Sequence, residues 1–417
     1  SVYNVAVGYL AGLSVTTGIK NTLIGGLAGD ALTDADMNVV VGAEALAIDT
    51  LGSGSVAIGR AALETQNFTT ASTTGNVAVG NQAGLSNTVG ESCTFIGHFS
   101  GRFATTAHSS VFVGSDAARG ITGAKLTGNQ NTCVGAQAGL LLQGAAANNS
   151  LFGFGAGKAI TTAAHNVCVG VNAGAGMTTG DSNILIGPGI AQNAALTGDN
   201  NIVLGDSAGE QMTSANNNIF IGLSTGVSSV AVTTGASNIL IGKQARVNAA
   251  DGANQITLGE QVTCVGNNNF TFGNGATDSN IAFGATSISA PSDQRYKEDI
   301  ADATAGLAFI KDLRPVTFKW KKAKDIPVGH DAYIADGEEG CNDRVMLSNG
   351  ETNHGFIAQE VKAAIDNHSE LKDGFDMWTV DEQDTTNGRQ RLSDGALVPM
   401  LVKAIQELEA RIATLEG

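Results

Sequence analysis

An apolar triplet followed by glycine recurs along the first 259 residues, with its closing glycine at Gly8, Gly25, Gly42, Gly59, Gly80, Gly97, Gly114, Gly135, Gly153, Gly170, Gly187, Gly205, Gly222, Gly242 and Gly259. Most spacings are 17 or 18 residues and three are 20 or 21. The full pattern is Asn-apolar-x-apolar-Gly-x-x-Ala-Gly, as in Asn76-Val77-Ala78-Val79-Gly80 with Ala83-Gly84, and a Thr-Gly pair such as Thr74-Gly75 often precedes the Asn. A fixed period of this length marks a repeat architecture in which each unit covers its neighbour. Val, Ile and Phe favour strand, and glycine permits a positive φ or a close backbone approach at a corner. Asn tolerates the left-handed region and bonds backbone at turns. One repeat therefore predicts one solenoid coil, built as strand, corner, strand and Thr-Gly turn, with small Ala and Gly keeping it thin and the Asn side chains aligned in a ladder.

Alternation within each triplet assigns its residues to opposite faces. Val5 and Val7 are expected inside the coil and Ala6 outside. The equivalents of Ala6 include Leu23, Val40, Phe95, Phe112, Leu151, Leu185, Phe220 and Leu240. On that assignment an apolar stripe runs along the outside, larger than a monomer leaves in water, and predicts a trimer interface. Fourteen steps of about 4.8 Å give a rod on the order of 70 Å. The repeat resembles the heads of trimeric autotransporter adhesins, which are left-handed β-rolls, although their coil is usually shorter.

Beyond Gly259 the spacing shortens to Gly273 and Gly284, so 260–291 reads as a neck. The three long spacings place extra residues at 63–75, 118–130 and 226–237, which are candidate receptor-contact loops or tolerated insertions. His98, Phe99 and Phe103 form an aromatic patch that either stacks on sugar rings or packs between coils. No Trp lies in the rod and no carboxylate pair stands out, so a glycosidase site is not legible there.

Composition changes abruptly after Pro291. Residues 1–291 carry 8 basic and 15 acidic side chains and 45 Gly; residues 292–417 carry 15 and 24, with 10 Gly. Two materials imply at least two domains. Acidity throughout, with a net charge of −16, argues against a nucleic-acid partner, because phosphate binding needs a basic stripe. No apolar run is long enough to span a membrane. No signal peptide is visible at the start, and a chain that opens inside a repeat without Met reads as part of a longer protein. The five cysteines, Cys93, Cys133, Cys168, Cys264 and Cys341, lack metal-ligand spacing and read as reduced, buried small hydrophobes. Neither a metal nor a cofactor is expected.

The last part carries three separated blocks: Ser292-Asp293-Gln294-Arg295-Tyr296-Lys297-Glu298-Asp299-Ile300, His354-Gly355-Phe356-Ile357-Ala358-Gln359-Glu360-Val361, and Leu397-Val398-Pro399-Met400-Leu401-Val402-Lys403-Ala404-Ile405. Val398, Ile405 and Ile412 alternate with Leu401, Leu408 and Leu415 in a heptad rhythm, predicting a coiled coil over about 397–416. Helix is expected at 307–313 and strand at 314–320, and the stretch from His354 to Val361 is expected to run into a short helix. By themselves, branched residues at a with Leu at d favour a dimer.

In identity and order, these blocks resemble the self-cleaving intramolecular chaperone at the C-terminus of phage tail spikes and fibres, of which the endosialidase tail spikes are the best-known example. The resemblance covers 292–417 and implies a small α+β domain, a homotrimer, Ser292 as nucleophile, Lys297 as general base and cleavage between Pro291 and Ser292. Asp293 and Asp299 match the family pattern as supporting residues, orienting the dyad or capping the following helix. A serine hydroxyl needs a base, and a lysine serves only when burial lowers its pKa. Residues five apart lie about 140° around a helix, so the dyad needs a turn or a second chain. His330 and His354 are alternative bases.

The whole reads as a mainly β chain: a solenoid rod at 1–259, a neck at 260–291 and a chaperone at 292–417. The expected role is the distal part of a phage tail fibre or spike, assembled in the host cytoplasm and carried in the virion. Its partners would be a host glycan or surface protein and other tail proteins. A polysaccharide-depolymerising spike with the same chaperone is the alternative; a bacterial trimeric adhesin is another, and would need a membrane anchor. A related chaperone in a membrane-tethered transcription factor would need DNA-binding and membrane segments.

Overall fold

The computed structural model describes residues 3–227, 231–275, 277–330, 332–345, 351–371, 375–380 and 389–416. Positions 228–230 of the expected 226–237 insertion lie outside the described residues. The chain divides into two compact units, 1–292 and 293–417.

The first unit is a β-solenoid. Three-residue strands, from Val5–Val7 and Thr22–Ile24 through Ile239–Ile241, stack in parallel. Equivalent residues face each other, as in Ala6↔Leu23, Leu23↔Val40 and Phe95↔Phe112. Two longer strands follow, Gln255–Glu260 and Asn269–Asn274. Thr277–Ala282 then turns back antiparallel on the latter. The repeat-like Asn280-Ile281-Ala282-Phe283-Gly284 is therefore no further parallel coil. It begins within the returning strand and closes the edge of the sheet, where Asn280 exchanges two backbone hydrogen bonds with Ser289.

The inside and the outside of the coil are the reverse of the expectation from alternation. The middle residue of each triplet points in: Leu23, Val40, Phe95, Phe112, Leu151, Phe220 and Leu240 are at most 1% exposed. The flanking residues point out, with Ile58 at 37% and Phe152 at 41%. Alternation defines two faces but not which one is enclosed. A three-residue strand in so thin a coil offers only one inward position, and the residue type there follows the available volume, from Ala to Phe. The core is completed by the Ala three residues after the corner glycine, such as Ala45, Ala83 and Ala138, and by the residue seven after it, such as Leu32 and Leu142. Each buried Leu or Phe contributes on the order of 1.5–3 kcal/mol.

The segment after the corner is a series of turns, not the second strand expected, with bonds such as Ala83 N to Gly80 O at 3.3 Å. The corner glycine is obligatory. Gly135 has φ 134°, and a Cβ there would sit 2.5 Å from the Gly153 carbonyl oxygen of the next coil. The Asn ladder is present and buried. Asn183 N donates to Asn166 Oδ1 at 2.9 Å, and Asn201 N to Asn183 Oδ1 at 3.0 Å. The left-handed residue is the one before the Asn, as at His165 (φ 61°) and Ser182 (φ 58°).

All five cysteines are free and buried. Burial raises the thiols of Cys93 to about 11 and Cys168 to about 12, and raises Cys133 as well. They act as small apolar core residues. Arg102 lies over the rings of Phe99 and Phe103 at 4.6 and 5.0 Å, and His98 stacks on Phe99 at 3.6 Å.

In the second unit, α1 (Leu307–Asp312), α2 (Ala358–Asn367) and α3 (Leu397–Glu416) gather around the buried Phe309, Val361, Ile365, Met377 and Leu397. Two strand pairs flank them, Val316–Phe318 with Asn353–Gly355 and Trp378–Val380 with Gln390–Leu392. Phe375 meets the Phe309 ring edge-on at 5.6 Å.

Candidate functional site

Ser292 ends the first unit and Asp293 opens the second. A single 3₁₀ turn, Gln294–Tyr296, occupies the stretch between Ser292 and Lys297. Asp293 is its N-cap, its Oδ1 accepting the Arg295 backbone N–H at 2.9 Å. Lys297 is the C-cap, its backbone N–H donating to the Gln294 carbonyl at 3.1 Å. Neither a continuous helix nor a straight strand runs through this stretch. The turn bends the chain between the two expected dyad residues within one chain. Ser292 and Lys297 are both exposed, as is Pro291.

Asp293 also holds the Arg295 guanidinium, with Nε to Oδ2 at 3.0 Å and Nη2 to Oδ2 at 2.5 Å. The Arg295 hydrogen bonds keep the Asp293 carboxyl below the usual carboxylate range. Of the two aspartates expected to support the dyad, Asp293 caps the turn. Asp299 sits at φ 51° in the left-handed region. It does not cap the following helix, because the residue before α1 is Gly306. That N-terminus is met from α3 instead: Leu307 N donates to Glu407 Oε2 at 3.0 Å.

The second unit also holds contacts that sequence reading did not single out. Arg314 forks onto Glu360 with both its Nε and its Nη2, joining the start of the 314–320 segment to the first turn of α2. The Arg314 hydrogen bond holds the Glu360 carboxyl below its ordinary range. His368 sits between two carboxylates, Nε2 at 2.9 Å from Asp312 Oδ2 and Nδ1 at 3.1 Å from Glu370 Oε1. Its ring packs edge-on to Phe309 at 5.4 Å. The Asp312 hydrogen bond, then that of Glu370, raises the imidazole pKa above its usual value. These partners are 46 and 56 residues apart in the chain, and a lone Arg or His carries no sequence signal for such a pairing. His354 lies exposed on a strand, and His330 is half-buried.

The α3 helix has two faces. Leu397 and Ala404 are buried in its own unit, while the heptad residues Val398, Leu401, Ile405, Leu408, Ile412 and Leu415 are exposed, Ile405 at 65%. Among the described residues no group of His, Cys, Asp or Glu could hold a metal ion, and no helix is long and apolar enough to cross a membrane.

Residues 292–370 match the model of a family classed as a peptidase and described as the chaperone of endosialidase. No curated protein and no solved structure shows a significant match. The matched segment opens on Ser292 and spans the capped turn, the Arg314–Glu360 pair and the His368 cluster. Residues 292–370 of this chain, following a β-solenoid, thus carry the endosialidase-type intramolecular chaperone.

Proposed function

We propose that the chain is the distal part of a phage tail fibre or spike, and that its chaperone aligns three copies before cleaving itself off between Pro291 and Ser292. The observation that carries this reading is the coincidence of two boundaries: the chaperone match begins at Ser292, where the compact rod unit ends.

The chemistry follows from the residue order. The Ser292 hydroxyl attacks the Pro291 carbonyl carbon while the Lys297 amine accepts its proton. The amide C–N bond breaks and the Ser292 α-amine takes up a proton, leaving an ester. Water hydrolyses that ester to a Pro291 carboxylate and a free Ser292 hydroxyl. Because the lysine must be desolvated to act as a base, and the single chain leaves it exposed, the neighbouring chains supply the enclosure. Cleavage then waits for assembly. Each chain reacts once. The released rod loses its folding template and is trapped kinetically.

The homotrimer has two contact faces in this reading. One is the exposed heptad stripe of α3. The other is the outer face of the solenoid strands, where the last residues of the triplets, such as Ile58, Ile96, Phe152, Ile186 and Ile221, form an apolar row. About 70 Å of rod and a face about 10 Å wide give roughly 700 Å² per chain, the scale of a stable interface. The host partner is a surface glycan or protein, and other tail proteins join at the far end.

The test is the mass of each polypeptide in the purified protein. Wild type should yield a rod ending at Pro291 and a fragment beginning at Ser292, and Ser292→Ala should yield one full-length chain in the same trimer. A cut elsewhere, or efficient cleavage of Ser292→Ala, ends the nucleophile assignment.

A further inference from the structure

Seven residues after the corner glycine, Leu32, Ala104, Leu142, Ile160, Met177 and Met212 face the inside of the coil and are fully buried. In three consecutive coils the same slot holds Asp49, Gln66 and Asn87, also fully buried. A polar plug therefore interrupts this otherwise apolar column of side chains.

The plug is closed by hydrogen bonds between coils. Asp49 Oδ1 accepts from Gly52 N at 3.1 Å and from Phe68 N at 2.9 Å, and its Oδ2 accepts from Gln66 Nε2 at 2.6 Å. Gln66 Nε2 also donates to Ser55 Oγ at 3.0 Å, and Gln66 Oε1 accepts from Asn76 Nδ2 at 2.9 Å. Ser55 occupies a rung of the Asn ladder and pairs with Thr74 Oγ1 at 2.6 Å. Asn87 bonds both the N–H and the carbonyl of Gly90, whose oxygen also accepts from Asn76. Gln66 thus bridges Ser55 to Asn76 at a rung where serine stands in place of asparagine.

We infer that this plug fixes the register in which the coils stack. The ladder cannot do so, because a chain shifted by one coil still sets Asn against Asn and an apolar triplet against another. The plug has one solution. A shift of one coil takes Asp49 away from Phe68 N and Gln66 and leaves its buried carboxylate without those two donors. A buried charge without its partners is strongly disfavoured. The plug thus excludes shifted stackings that the repeat itself tolerates, and it does so independently of the chaperone and its cleavage.

Register can be read at Ser72 and Glu91, whose side chains bond at 2.7 Å across adjacent coils beside the plug. The full chain carrying Ser72→Cys and Glu91→Cys, with Ser292→Ala to keep it uncleaved, is unfolded, refolded and oxidised, and the 72–91 disulfide is quantified by peptide mass. Replacing the plug with Asp49→Leu, Gln66→Leu and Asn87→Leu should lower the crosslinked fraction at least about twofold while strand content persists. The near-isosteric Gln66→Met should give an intermediate loss. Crosslinking as complete as in the parent, in the triple variant or in folded Gln66→Met, would overturn the inference. So would failure of Gln66→Met to form the solenoid, since the plug is assigned register and not coil formation. If only the triple variant fails to fold, the Gln66→Met fraction decides.

Discussion

Replacing Asn166 by Ala tests whether the ladder holds the coils together or merely decorates them. Asn166 Oδ1 accepts from Asn183 N at 2.9 Å and from Asn183 Nδ2 at 3.3 Å. Its Nδ2 donates to Gly180 O at 2.9 Å, Asn149 Oδ1 at 3.1 Å and Ala164 O at 3.0 Å. Alanine leaves the buried Asn183 N–H without this acceptor and the Gly180 carbonyl without this donor. At about 1–3 kcal/mol for each orphaned backbone group, the local loss should be about 4 kcal/mol. Amide exchange followed by mass spectrometry over the Asn183 coil should then speed up by about three decades, since 1.4 kcal/mol is tenfold. Asn81→Ala, on the exposed surface, should change exchange by no more than about twofold, within the usual range of about 0.5 kcal/mol for surface substitutions. A speed-up below about tenfold in Asn166→Ala would refute the ladder's energetic role, because it would put the loss under about 1.4 kcal/mol.

The two faces of the strand should respond differently to a charge. Phe220→Asp, in the core, should abolish the β signal in circular dichroism, whereas Ile186→Asp, in the outer row, should keep that signal and shift light scattering from trimer to smaller species; equal behaviour would contradict the inward assignment. Lys297→Arg should assemble but keep its chaperone, because a guanidinium stays protonated and cannot accept the serine proton; cleavage at the wild-type rate would remove Lys297 as the base. His368 has its pKa raised by Asp312 and Glu370, so its contribution to stability is complete below its unfolded pKa of about 6.5 and fades as pH rises through the folded value. Both tryptophans, Trp320 and Trp378, lie in the second unit, so their fluorescence should show wild type losing more stability than His368→Gln between mildly acidic and alkaline pH. Parallel pH profiles would show that the contacts of His368 with Asp312 and Glu370 contribute nothing.

Much of this protein was legible as a string. The glycine period, the Asn rung and the apolar triplet specify a stacked coil because each states a local need: a positive φ, a buried amide pair and a half-buried strand. The break after Pro291 was legible as a change of material. The blocks from Ser292 onward carried the chaperone resemblance, and the heptad of α3 was plain from its spacing. Sequence did not decide which side of the triplet is enclosed, because alternation has no sign and only coil closure chooses the interior. Nor did it show that Asp49, Gln66 and Asn87 share one interior column, since each looks like a surface residue until the coils are stacked. The Arg314–Glu360 and Asp312–His368 contacts likewise join residues far apart in the chain, and such pairs become neighbours only through tertiary packing. Local chemistry fixed the repeat and its corners; closure and long-range contact decided what the corners enclose.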